Sequence, residues 1–211
     1  MIYSPTKKEI ILNRELSKLD KFVIDFCNLL DDYVLVSGYV SIIFGRSRGT
    51  EDVDLLIPEM NSEEFKKLWK KVYENGFECV NTENPKEAFA LFKEHNIRFS
   101  RKGVSVPNME FKMVKKWFDE YSLKDKISVK IGNKNLFVSP LEMQIAYKLN
   151  LSKQGNRKDL EDAKHIYELF GEKINKDELN RLIEEFGVKR EFEIMRKDYG
   201  NKYRRIKWRN R

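Results

Sequence analysis

Apolar positions recur along the first part of the chain in two rhythms. Over residues 5–30, Ile10, Leu12, Leu16, Leu19, Phe22, Val23, Phe26 and Leu30 return at helical spacing, which predicts one long amphipathic helix. Residues 33–36 form a short apolar, β-branched run that stops at Ser37-Gly38, the pattern of a buried strand meeting a turn. Residues 40–44 predict a brief helix closed by Gly45. Residues 46–51 read as a polar loop, and residues 53–57 as a second strand stopped by Pro58. Asn61 or Ser62 caps the next helix, which carries acidic residues in its first turn and Gly76 at its end. Strands are predicted over 77–80, 97–100 and 109–114, with a short helix over 85–93. The runs 127–131 and 136–138 flank Gly132-Asn133 as a hairpin.

From Ser139 the rhythm is helical. Ser139-Pro140-Leu141-Glu142 is a capping box with proline at the first helical position, and helices follow over 158–170 and 176–186. No internal repeat interrupts the pattern. It predicts an α+β fold, α/β-like, with a mixed sheet flanked by helices over residues 1–138. A C-terminal helical layer follows over 139–195, and a basic tail over 196–211.

Composition narrows the class. The chain has 211 residues, 41% hydrophobic and 36% charged, enough apolar material for a core and too much for general disorder. No apolar run approaches the roughly 20 residues that span a bilayer, and the first ten residues lack a secretory signal, so a cytoplasmic protein is expected. Cys27 and Cys79 read as two core thiols of a reducing compartment. His95 and His165 stand alone, without zinc spacing. The net charge of +7 resides in the tail, where eight basic residues face Asp198 alone; the rest of the chain balances 33 basic against 33 acidic groups. Tyr203 and Trp208 are interleaved there. Cations with aromatics suit a nucleic-acid backbone and its bases, and a solvated terminus is the alternative.

The chemistry concentrates in Asp52-Val53-Asp54-Leu55. On a strand, side chains alternate, so Asp52 and Asp54 share one face while Val53 and Leu55 turn to the core. Two such carboxylates repel unless a cation lies between them, and hard oxygen ligands suit magnesium. Glu110 is the candidate third carboxylate, because Met109, Phe111 and Met113 face one way and Glu110 and Lys112 the other. Upstream, Ser37-Gly38 joins a strand to a helix start, where backbone N–H groups can approach phosphate oxygens. Arg46, Arg48 and Thr50 lie in the loop between, placed to contact phosphates or brace it.

On these residues the sequence resembles the nucleotidyltransferase superfamily related to DNA polymerase β. That superfamily pairs a Gly-Gly or Gly-Ser turn with an Asp-hydrophobic-Asp strand nine to thirteen residues on; here twelve residues separate Ser37-Gly38-Tyr39 from Asp52. The run Gly45-Arg46-Ser47-Arg48-Gly49-Thr50-Glu51-Asp52 is similar to a stretch of AbiEii-like and related minimal nucleotidyltransferases. Their capped helix ending in lysine and the charged helix after it correspond to residues 139–149 with Lys148, then Arg157-Lys158-Asp159-Leu160-Glu161-Asp162. The resemblance implies a nucleotidyltransferase core that transfers a nucleoside monophosphate from a nucleoside triphosphate to a hydroxyl and releases pyrophosphate. Asp52, Asp54 and Glu110 would hold two magnesium ions, and Ser37, Gly38, Arg46, Arg48, Thr50 and Lys148 would bind the nucleotide. Implied acceptors are RNA or tRNA, a protein or a small molecule, and implied partners include an antitoxin, since AbiEii-like relatives act in toxin–antitoxin pairs. Tyr39 stands where the family has a second small residue. Either its side chain turns away and leaves the backbone contact intact, or nucleotide binding is altered; in the second case the chain is an inactive module that binds RNA or a partner. Asp159 and Asp162, three apart on a helix, are expected to pair with Lys158 or Arg157.

Overall fold

The computed structural model describes residues 1–197. Its elements in chain order are strands β1 (Ile2–Ser4) and β2 (Glu9–Leu12), helix α1 (Lys18–Cys27), β3 (Val34–Leu35), α2 (Gly38–Ile43), β4 (Asp52–Ile57), α3 (Ser62–Glu74), β5 (Phe77–Cys79), α4 (Pro85–Glu94), β6 (Ile97–Arg101), β7 (Asn108–Met113), α5 (Trp117–Lys124), β8 (Ile127–Ile131), β9 (Lys134–Val138), α6 (Leu141–Ser152), α7 (Arg157–Phe170) and α8 (Lys176–Glu185). Residues 189–197 continue as helix. The chain divides into two compact units, Met1–Ile43 with Ser47–Pro140, and Phe44–Arg46 with the chain from Leu141 onward. Among the described residues no helix is long and apolar enough to cross a membrane.

The first unit is built on one mixed sheet, ordered β1-β2-β8-β9-β3-β4-β7-β6-β5. Its core lies on one face. Val53, Leu55, Met109, Phe99 and Phe111 project from β4, β6 and β7 and are fully buried. Phe26 of α1, Trp69 of α3 and Phe92 of α4 close over them; Phe26 lies 5.7 Å from Phe99, and Phe92 lies 5.2 Å from Phe111, centroid to centroid. Each such buried phenylalanine contributes about 1.5–3 kcal/mol. Three helices cover this face; on the opposite face the first residues of β4 and β7 carry polar side chains, and Leu56 is buried further along.

The N-terminus departs from the sequence expectation. Residues 5–30 are not one helix: β1 and β2 form an antiparallel hairpin, and β2 runs parallel to β8 with Ile10 beside Val129 and Leu12 beside Ile131. Ile10 and Leu12 are buried while Ile11 is exposed, the period of a strand. Ser17 then starts α1 through a capping box with Asp20. A second departure is α5, four residues beyond β7, which the apolar pattern did not announce. It packs on β4, where Leu56 is buried.

The second unit is helical. α6 packs on α7 and α8, and its first-turn Glu142 accepts the backbone N–H of Asn175, the residue that caps α8. Phe44 stacks edge-on against Phe170 at 4.9 Å.

Candidate active site

Strands β4 and β7 run side by side in parallel, with Asp52 opposite Asn108, Asp54 opposite Glu110 and Leu56 opposite Lys112. Side chains alternate on each strand, so Asp52, Asp54, Asn108, Glu110 and Lys112 share the face turned away from the aromatic core. The Glu110 of the sequence reading thus lies directly beside Asp54. Antiparallel β6 adds Arg98 opposite Glu110.

Positive groups gather on these carboxylates. Lys112 Nζ donates to Asp54 Oδ1 at 2.5 Å and lies 3.3 Å from Glu110 Oε2. Burial alone would lower the Lys112 pKa, but Asp54 and Glu110 outweigh it and raise it, which fixes the ammonium form. Arg98 stands 3.7 Å from both Asp52 and Glu110. Asn108 donates to Asp52 Oδ1 at 2.8 Å, and Asn96 to Glu110 Oε1 at 3.1 Å. Among the described residues no three His, Cys, Asp or Glu side chains are drawn together as a metal cluster. The donor set nevertheless fits a hard divalent cation. It offers three carboxylates on one sheet face, and the Lys112 ammonium occupies the gap between two of them as a stand-in charge.

The turn before α2 is brought to the same place by register. β3 pairs antiparallel with β4, Leu35 opposite Leu55, and the Val36 N–H donates to the Asp54 carbonyl at 3.0 Å. Continuing that ladder sets Ser37-Gly38 beside the start of β4. Ser37 has φ 62°, which redirects the chain into the helix. Gly38 is buried, and a Cβ there would lie 1.8 Å from Arg48 Nη2. A side chain at position 38 would have to displace the Arg48 guanidinium that packs across it. Thr50 Oγ1 donates to the Asp52 carbonyl at 2.7 Å and braces the strand start.

Tyr39 turns inward. It is fully buried, and its hydroxyl donates to Asp20 Oδ1 at 2.7 Å. Burial, with the Asp20 carboxylate beside it, raises the phenol's pKa and keeps it protonated. Asp20 also accepts from Arg14, from the Ser17 hydroxyl and from the Ser17 backbone N–H, while Arg14 reaches the Ile43 carbonyl. One buried carboxylate thus ties both ends of α2 to α1 and leaves the Ser37-Gly38 backbone uncovered by the tyrosine ring.

Two solved structures share this architecture. A crystal structure of an antigenic nucleotidyltransferase-like protein from Paracoccidioides brasiliensis matches over 77% of this chain and 83% of its own, at 18% identity and TM-score 0.50. ANT(2")-Ia, in complex with adenylyl-2"-tobramycin, matches over 81% of this chain and 97% of its own, at 12% identity and TM-score 0.53. The fold is that of nucleotidyltransferases. No protein-family model matches the sequence, and no curated protein does.

Within this nucleotidyltransferase fold, Arg46 and Lys148 belong to the second unit. Lys148 is buried, with Nζ 2.5 Å from Asp159 Oδ1 and 3.0 Å from Asp162 Oδ2. Arg46 is ion-paired with Asp162 and donates to the Lys158 carbonyl at 3.2 Å. Asp159 pairs with Lys148, and Asp162 with Lys148 and Arg46, partners distant in sequence that helical spacing did not announce. His165 Nε2 lies 3.2 Å from the Phe44 carbonyl and fastens the same segment. Lys148→Met leaves two buried carboxylates short of a cation. It is expected to cost about 3 kcal/mol in urea unfolding, and a loss under about 1 kcal/mol would contradict the importance given to this network. Arg98, Asn96 and Asn108 escaped the sequence reading, because only the order β4-β7-β6 brings them to the acids. Cys27 and Cys79 are both free and buried. In the basic tail, residues 198–211 lie outside the described residues.

Proposed function

We propose that this protein transfers a nucleoside monophosphate from a nucleoside triphosphate to an acceptor hydroxyl, releasing pyrophosphate. The observation that supports this reading most is the register of β3, β4 and β7, which sets Asp52, Asp54 and Glu110 on one face beside the Ser37-Gly38 turn. The ANT(2")-Ia complex contains an adenylylated product, and the shared fold favours the same reaction class here.

Asp52, Asp54 and Glu110 would hold magnesium, which when bound supplies charge for the phosphates and acidity for the attacking hydroxyl. The chain's own groups do the rest. Ser37, Gly38 and Arg48 bind the β- and γ-phosphates through backbone N–H groups and a guanidinium. The acceptor oxygen bonds to the α-phosphorus, its proton passes to the Glu110 carboxylate, and the bond to the bridging oxygen breaks with its electron pair leaving on pyrophosphate. Lys112, whose ammonium lies against Asp54 and Glu110, would neutralise charge on the leaving group. Arg46 and Lys148 are engaged by Asp159 and Asp162 within the helical unit and take no step in this scheme. The basic tail extends the proposal to RNA as a carrier of the acceptor hydroxyl.

The test is transfer of label from each of the four α-labelled triphosphates, with magnesium, to total RNA, to protein and to the chain itself. Label in one acceptor class, abolished by chelation, is the expected result. Magnesium-dependent triphosphate binding without transfer would favour a binding module, and neither binding nor transfer would end the enzyme reading.

A further inference from the structure

The carboxylates on the polar face of β4 and β7 are matched from within the chain. Lys112 Nζ lies 2.5 Å from Asp54 Oδ1 and 3.3 Å from Glu110 Oε2, and Arg98 lies 3.7 Å from both Asp52 and Glu110. Three carboxylates thus face two side-chain cations, with one negative charge in excess. We propose, building on the transfer reaction above, that Lys112 is an internal counter-ion that competes with the divalent cation for Asp54 and Glu110. On this account the face binds the cation weakly until an anionic substrate takes over the ammonium.

Register builds the competition in. Asp54 stands opposite Glu110 and Leu56 opposite Lys112, so Lys112 sits one pleat beyond both acids and on their face. Its ammonium is tethered to the strand that carries Glu110, which keeps it at a high local concentration that a free ion must beat. The Lys112–Asp54 contact is part-buried and therefore screened less than a surface ion pair. Arg98 is exposed and its contacts are longer, so solvent and salt weaken its hold on the same acids.

A second observation points to a further ligand. Asn108 is 5% exposed and donates from Nδ2 to Asp52 Oδ1, while its own Oδ1 is buried with no hydrogen-bond partner among the described residues. An acceptor left over beside the carboxylates calls for a cation or a donor that Lys112 and Arg98 do not supply. When such a cation takes Asp54, the Lys112 ammonium loses its anion at a part-buried position, which is costly unless another anion receives it. A triphosphate brings that anion, so Lys112 couples cation binding to substrate binding.

The probe is Mn2+, a paramagnetic stand-in for magnesium, titrated alone into the full-length protein and read as loss of the free-ion electron paramagnetic resonance signal. Lys112→Met should bind Mn2+ at least about tenfold more tightly than wild type, a gain that misfolding does not produce. Lys112→Gln should move in the same direction. Arg98→Met, which removes the longer and more screened contact, should gain no more than about threefold. Adding Asp54→Asn to Lys112→Met should abolish the gain. Mn2+ affinity no higher in either neutral Lys112 variant than in wild type, a gain that survives the loss of Asp54, or an equal gain in Arg98→Met would overturn the proposal. Failure of the transfer reading shows separately, as no magnesium-dependent transfer of label by wild type, because the Mn2+ titration requires neither nucleotide nor turnover.

Discussion

Asp52→Asn/Asp54→Asn is expected to abolish magnesium-dependent triphosphate binding and to lower nucleotide transfer by at least about a thousandfold. The magnitude follows from what two metal-holding carboxylates contribute, several kcal/mol of transition-state stabilisation at about 1.4 kcal/mol per factor of ten. The single variants should differ. Asp54 is 17% exposed and grips Lys112, whereas Asp52 is 43% exposed and is contacted by Asn108 and Arg98 at the rim. Asp54→Asn removes a cation ligand and also frees the Lys112 ammonium, so it should be the more damaging of the two. Glu110→Gln keeps the acceptor atom for Asn96 and loses a carboxylate proposed both as cation ligand and as proton acceptor, so it should weaken triphosphate binding less than the aspartate double variant does while suppressing transfer. Thermal unfolding serves as the control, since these side chains lie off the aromatic core and should shift the midpoint by only a few degrees. Equal activity of the double variant and wild type would remove this face from the chemistry.

The acidic pair was legible because a strand's period of two is unambiguous when valine and leucine alternate with aspartate. Glu110 was legible for the same reason, but its partnership with Asp54 depends on β7 running parallel beside β4, a long-range pairing that no local pattern encodes. Arg98, Asn96 and Asn108 are hidden one step further, behind the order of strands. The N-terminal hairpin was misread because Leu12, Leu16 and Leu19 extend the helical spacing of α1 backwards and mask the period of two at Ile10 and Leu12. The register of β2 against β8, not propensity, decides it. Lys148 was read as a nucleotide contact, and its burial in an ion pair with Asp159 was not foreseen. α6 is buried almost all round, so its sequence offers no polar stripe to betray an internal ion pair whose acids lie in the next helix. Tyr39 was the departure from the family pattern, and its explanation required Asp20, a residue the long-helix reading had placed in mid-helix instead of in a capping box.

That carboxylate carries the second large effect, on stability. Asp20 is 1% exposed. Burial alone would raise its pKa, yet hydrogen bonds from Arg14, Ser17 and Tyr39 overcome burial and hold it at about 2. Asp20→Ala strips the acceptor from a guanidinium, a phenol and a helix cap together, and is expected to cost about 4 kcal/mol in urea unfolding. Tyr39→Phe removes a single neutral donor and should cost about 1 kcal/mol; no loss at all would mean that Tyr39 contributes only its ring. The pH dependence has a definite sign. A carboxylate held below its unfolded pKa stabilises the fold at every pH above that unfolded value, near 4, and the contribution disappears as pH falls towards 2. Wild type should therefore lose about 2 kcal/mol more than Asp20→Asn between pH 5 and pH 2, measured as the difference between their unfolding free energies. Since Asp20 acts on both ends of α2, the same variants should also weaken triphosphate binding at neutral pH, by loosening the Ser37-Gly38 turn, while leaving Asp52, Asp54 and Glu110 in place. Weakened binding with an unchanged response to magnesium concentration identifies that positioning role; weakened binding accompanied by a shifted magnesium requirement would place the fault at the acids instead.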